Sequence, residues 1–192
     1  MEDYPGMATS APYYLLQNHT VVENALTEAG LKVIFTAHAN DITMNSTGEN
    51  VLFDIATLSL LIPPFSYRII NLNPDSVLQI KTKYITSVEA TIPGGIKFLD
   101  YSENYLLTNL THRLTGVIKK MFQISEDSAL YYAPLSAEAL ATYYAGDEKL
   151  HPAAEKISRD WPVILRNILK SMYTDLPPSD GPLNMDLKQN PE

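Results

Sequence analysis

The side chains best suited to metal, acid–base or nucleophilic chemistry are scattered along this sequence. The four histidines, His19, His38, His112 and His151, include no H-x-H or H-E-x-x-H pair, the spacings that bring two ring nitrogens onto one metal ion. There is no cysteine, which excludes disulfides, thiolate ligands and a cysteine nucleophile. The serine-hydrolase elbow, the P-loop and the dinucleotide-binding glycine motif are also absent. We therefore expect no catalytic residues, no metal site and no cofactor, and predict that the protein is not an enzyme.

One carboxylate differs from its surroundings. Asp54 lies within the apolar stretch VLFDIATLSLLI, and alternation places it on the same strand face as Leu52 and Ala56. Burying a carboxylate is costly unless it is paired. We therefore expect Asp54 either at a sheet edge or, if buried, beside a partner, and in both cases with a structural role.

Composition and charge restrict the classes of partner. With 192 residues, 45% of them hydrophobic and 19% charged, the chain can bury a core in one domain or two small ones. The net charge of -8 repels a phosphate backbone, so we expect no nucleic acid partner. No apolar run approaches the length of a transmembrane helix, and the acidic N-terminal sequence MEDYP does not match a signal peptide. The localisation stays unknown from these observations.

Strand patterns dominate residues 31–99, after a helical stripe over residues 13–30 that ends at Gly30. In residues 77–92 the even positions are mostly apolar and the odd positions mostly polar, which is typical of a strand with one buried face. The predicted strands are residues 31–35, 42–44, 51–62, 67–72 and 77–92. We expect them to form one antiparallel sheet.

The rest of the chain is predicted to be helical, with irregular ends. Residues 103–122 carry one apolar stripe, and Lys119 and Lys120 suit the last turn of that helix because they offset its dipole. Further helices are predicted over residues 135–145, ending at Gly146, after His151-Pro152, and over residues 163–172. The predicted organisation is a flexible arm over residues 1–12, a single α+β domain over 13–173 and an extended or disordered Pro-rich tail over 174–192.

Several of these segments together resemble the carboxyl-terminal half of the bactericidal/permeability-increasing and lipid-transfer protein family. The resemblance lies in ENALTEAG and LKVIFTAH, in the turn Thr47-Gly48 followed by a strand ending at proline, in the long alternating strand VLQIKTKYITSVEATI, and in WPVIL at residues 161–165. It implies long antiparallel strands wrapped around a long helix, an apolar tunnel that binds lipid, and an extracellular location.

The expected fold class is α+β: a long-stranded antiparallel twisted sheet packed on one long amphipathic helix and a C-terminal helix. The stripe of the long helix should cover the even face of strand 77–92. If this interface is loose, it forms a tunnel for a lipid or another apolar molecule, which is the reading we favour. The residues predicted to line the tunnel are Leu78, Ile80, Tyr84, Val88, Leu110, Leu114, Val117 and Met121.

The alternative is a structural or assembly protein that acts through contacts with itself or another protein. If the sheet–helix interface closes tightly, only edge strands and tyrosines remain to meet partners. The arm with Tyr4-Pro5 and Ala11-Pro12, followed by a β-rich core and helices, is similar to small viral matrix-type proteins. The acidic net charge then favours a protein partner over an anionic membrane.

Overall fold

The computed structural model describes residues 16, 18–37, 40–47, 50–146, 161–173 and 180–188. It confirms the α+β fold class, because both sheets and helices are present in this part of the chain. The elements in chain order are α1 (His19–Glu28), β1 (Val33–Ala37), β2 (Asp41–Thr47), β3 (Asn50–Thr57), β4 (Ser66–Leu72), β5 (Val77–Tyr84), α2 (Phe98–Phe122), α3 (Glu126–Ala145), α4 (Val163–Ser171) and β6 (Leu183–Asp186). The predicted arm and the helix predicted after His151 lie outside the described residues.

The described strands form two sheets of three rather than one. In the first sheet β3 is central, parallel to β1 and antiparallel to β2. Its side chains are buried on both faces, since α1 packs on one of them and the second sheet covers the other. In the second sheet β5 is central and antiparallel to both β4 and β6. The predicted single sheet is divided because the chain turns at residues 59–65 and β4 then begins a separate ladder.

The alternating strand is shorter than predicted. Leu78 and Ile80 are buried and Lys81 and Lys83 are exposed, as the alternation requires, but regular pairing ends at Tyr84 rather than at residue 92. The reason is the partner strand. Ser66 is the first residue of β4 and pairs with Tyr84, and the residue before it, Phe65, turns the chain away with a φ of 55°.

The predicted Pro-rich tail contains a strand, which corrects that prediction for residues 183–186. In β6, Leu183 and Met185 face the core and the two polar residues between and after them face outward. Met185 lies opposite Leu78 and is 7% exposed. Burial of the Leu183 and Met185 side chains, where β6 pairs with the edge of β5, explains why this segment forms a strand despite the prolines near it.

The helix ends follow the sequence closely. The backbone N–H groups of Gly30 and Leu31 donate to the carbonyl oxygens of Thr27 and Leu26, the Schellman pattern, with Gly30 at a φ of 80°. α3 begins at the cap Ser125, whose side chain accepts from the N–H of Ser128. α2 starts at Phe98, five residues before the start of the predicted helix over 103–122. Ser102 lies inside the helix and donates to the carbonyl oxygen of Phe98.

Two separate groups of side chains form the core. The sheet cluster fills the space between the two sheets and consists of Ile42, Val51, Phe53, Ile55, Leu78, Ile80 and Met185. The helix cluster consists of Ile118, Ala129, Ala133, Ala139, Tyr143, Trp161, Leu165, Ile168, Leu169, Met172 and Tyr173.

The long helix α2 packs chiefly against α3, and α1 is the helix that packs on the first sheet. The stripe of α2 therefore faces α3 and α4, and not the even face of β5 as expected. The buried face of β5 already meets the first sheet, so it has no apolar surface left for a helix.

Candidate functional site

An apolar cavity of about 260 Å³ lies between the three helices α2, α3 and α4. α2 contributes Leu110, Arg113, Leu114, Val117, Ile118, Met121 and Phe122; α3 contributes Ser136, Leu140 and Tyr144; α4 and the residue after it contribute Leu165, Ile168, Leu169 and Met172. Its wall is open toward solvent along α2, where Val117 and Met121 are each 49% exposed.

The sequence of α3 explains where the cavity forms. Ala129, Ala133 and Ala137 recur every four residues and are fully buried, so this face presents little side-chain volume to its neighbours. Further along the helix, Leu140 and Tyr144 replace the alanines and are only partly buried. The cavity lies beside these partly buried side chains, between them and the apolar face of α4.

The structure brings half of the predicted lining residues together. All four predicted on the long helix, Leu110, Leu114, Val117 and Met121, line the cavity.

The four predicted on strand 77–92 do not line it. Leu78 and Ile80 are buried in the sheet cluster, which is a different core. Tyr84 and Val88 are 49% and 43% exposed, because regular pairing stops at Tyr84 and nothing covers the segment that follows among the described residues.

Sequence reasoning missed the contributions of α4 and of Arg113. Ile168, Leu169 and Met172 form the apolar face of α4, a pattern visible in the sequence, but the partner of that face was not identifiable from it. Arg113 directly precedes Leu114 and follows Leu110 by three residues. Residues at such spacing share one side of a helix, so the stripe itself places Arg113 at its border.

The polar side chains around the cavity are few. The hydroxyl of Ser136 donates to the carbonyl oxygen of Tyr132 at 2.9 Å and is thereby satisfied within its own helix. Arg113 is exposed, and among the described residues that line the cavity it is the one with a charged side chain. The described part of the site can therefore desolvate an apolar group and offers the positive charge of Arg113 at its border.

Asp54 is buried and paired on the central strand, not at a sheet edge. It is 5% exposed and accepts a hydrogen bond from the hydroxyl of Thr36 on the neighbouring strand. Thr43, also buried, pairs with it across the other strand. This geometry agrees with the structural role expected for Asp54.

A second polar group, the polar junction, consists of Asn40, Arg68, Gly146 and Asp180. Arg68 Nη2 donates to the carbonyl oxygen of Ala56 at 2.9 Å and to Asn40 Oδ1 at 3.3 Å. Asp180 Oδ1 accepts from the backbone N–H of Ile42 at 2.6 Å. Desolvation lowers the pKa of Arg68, while the negative charge of Asp180 opposes that shift.

The polar junction also fixes the end of α3. Asn40 Nδ2 donates to the carbonyl oxygen of Ala145 at 3.1 Å, beside Gly146 at a φ of 66°. A Cβ on Gly146 would lie 1.8 Å from the carbonyl oxygen of Asn40, so only glycine fits. The junction joins both sheets to the helices and acts structurally.

The second sheet has an exposed edge in the part of the chain that is described. β4 is paired on one side only, by β5. Its apolar side chains are unusually accessible: Tyr67, Ile69, Ile70 and Leu72 are 40%, 40%, 42% and 63% exposed. Such an edge can accept another strand.

Within the described residues, no group of three or more His, Asp or Glu side chains lies close enough to hold a metal ion. None of the described helices is both long and apolar enough to cross a bilayer. No protein-family model matches the chain, and a search of curated proteins finds no significant match.

Proposed function

We propose that this protein binds a small apolar molecule, or the alkyl part of a lipid, in the cavity between α2, α3 and α4, and that it does so without catalysis. The observation that carries the proposal is the cavity itself, about 260 Å³ of space with a mainly apolar lining. Protein interiors are close-packed and rarely contain voids much larger than a water molecule. A cleft of this kind, open on one side toward solvent, can bind an apolar molecule because the guest removes apolar surface from water.

The size and lining agree with a small ligand. Known ligand pockets span roughly 300–1,000 Å³ and are lined mainly by hydrophobic side chains with a few polar groups. The cavity lies just below that range, and Met121 and Met172 in its wall are flexible enough to adjust to a guest.

The test is a dye-binding measurement on a filled cavity. Nile red, which fluoresces on entering an apolar site, is titrated into the wild type and into Leu114→Trp, and decanol is then added as a competitor. We expect the wild type to bind the dye and decanol to displace it. Leu114→Trp should lose binding while keeping its circular dichroism spectrum, because the indole occupies the cavity.

The matched control is Leu99→Trp, which makes the same exchange on α2 at a side chain that is 40% exposed and does not line the cavity. This variant should bind as the wild type does. If Leu114→Trp retains full dye binding but loses about 1–3 kcal/mol of unfolding free energy from overpacking, the space is a packed core and the proposal fails.

The second candidate is self-assembly through β4, which the exposed apolar edge favours. A strand that pairs with its own copy across a two-fold axis places the same side chains opposite each other and needs no other partner. Native mass spectrometry of the purified protein with lipid extraction separates the two candidates. Excess mass that extracts as lipid supports the carrier, whereas bare masses at multiples of 21.4 kDa support assembly.

A further inference from the structure

A positively charged side chain, Arg113, lies at the border of the cavity. Arg113 sits on α2 between Leu110 and Leu114, both of which line the cavity, and it contributes to the lining itself while remaining exposed. The described residues form no ion pair with it. By contrast Lys119, on the same helix, is held by Glu126 at 2.7 Å.

From this arrangement we infer that the ligand is an amphiphile with a carboxylate head, such as a fatty acid. Its alkyl chain fills the cavity and its carboxylate is held by the guanidinium of Arg113. The inference rests on the proposed function, since it names the chemical class of the molecule in the same cavity.

Three physical arguments favour a carboxylate. A guanidinium presents parallel N–H donors that match the two oxygens of a carboxylate. The other described side chains of the lining carry no positive charge, and Ser136 already donates its hydroxyl proton within α3. The net charge of -8 opposes the general uptake of anions, so a carboxylate would gain only where a cation is placed for it.

The experiment compares decanoate with decanol as competitors of Nile red, each below the concentration at which it forms micelles. In the wild type we expect decanoate to compete roughly fivefold better than decanol, the size of a partly solvated ion pair. In Arg113→Gln this advantage should disappear while decanol binds unchanged. Arg113→Lys should retain part of it, and added salt should reduce it.

Lys97→Gln is the matched control, because it removes one exposed positive charge from the start of α2, away from the cavity. It should leave both affinities unchanged. A series of octanoate, decanoate and dodecanoate adds a second readout. Affinity should rise roughly fourfold per methylene until the cavity is full and then stop rising.

The outcomes separate the inference from the proposed function. If decanol and decanoate compete equally in the wild type, or Arg113→Gln weakens both to the same extent, the role of Arg113 is overturned and the apolar cavity stands. If decyl sulfate competes as well as decanoate, the carboxylate assignment is overturned in favour of anions in general. If neither Nile red nor any competitor binds, the proposed function and the inference fail together.

Discussion

In the sheet cluster Ile42 and Ile55 are fully buried and Ile80 is 1% exposed, whereas the helix cluster surrounds a cavity of about 260 Å³. The two regions are built from different side chains. Branched residues on alternating strand positions interdigitate between the sheets. The helices instead combine buried alanines with longer flexible side chains such as Met172, and a cavity remains between them. The sheet cluster is therefore the closely packed part of the fold, and the helix cluster is the part with room for a ligand.

Equal truncations in the two regions test whether they really differ in packing. Ile55→Ala removes a fully buried side chain of the sheet cluster and should cost about 2–5 kcal/mol. Leu114→Ala should cost about 1 kcal/mol, since this side chain is only partly buried and already borders empty space. Both values come from the midpoints and slopes of urea unfolding curves. Equal losses of unfolding free energy in the two variants would mean that the helix cluster is packed as tightly as the sheet cluster.

A smaller effect on stability is expected at the polar junction, which joins the sheets to the helices. Arg68→Met should lower the free energy of unfolding by about 1–3 kcal/mol, because the acceptors on Asn40 and Ala56 lose their donor and Asp180 loses a nearby positive charge. Urea unfolding followed by circular dichroism measures this. Lys81→Met, at an exposed position of β5, should change stability by less than about 0.5 kcal/mol. A loss below about 1 kcal/mol for Arg68→Met would show that the junction is dispensable.

The smallest expected effect on stability comes from the phenol of Tyr173 in the helix cluster. Burial raises the pKa of Tyr173 to about 12, with a further contribution from the charge of Glu138. The unfolded chain loses this proton near about pH 10 and the folded chain retains it, so stability is intact below about pH 10 and falls as the pH rises to about 12. We expect a loss of about 1–2 kcal/mol over that interval.

Tyr173→Phe should remove this part of the pH dependence while leaving the remainder of the alkaline profile intact. The measurement is urea unfolding of both proteins at about pH 9 and at about pH 11. Parallel losses in the two proteins would assign the effect to other groups.

Much of the local structure could be predicted from the sequence because its causes are local. The end of α1 at Gly30, the alternation of Leu78 and Ile80, and the cap at Gly146 each depend on a few neighbouring residues. The apolar stripe of the long helix could also be recognised, because periodicity alone marks one face of a helix, and four of its side chains border the cavity.

What could not be predicted depends on contacts between distant segments. The end of β5 at Tyr84 is decided by where β4 begins, and nothing between residues 85 and 92 signals it. β6 is short and surrounded by prolines, although the alternation of Leu183, Met185 and Leu187 was available as a signal. The apolar stripe of α2 could be recognised in the sequence, but the surface that packs against it could not. The periodicity of one element shows which face is apolar and does not show which other element covers that face.

The position of β6 in the chain also sets an order of events during synthesis. α2 and α3 are neighbours in sequence and can pair as soon as both have been made. The second sheet cannot close until Leu183–Asp186 has left the ribosome, because this strand pairs with β5 across the intervening helices. Until then β5 keeps one unpaired edge, and an unpaired edge is the part of a sheet that can pair with another chain.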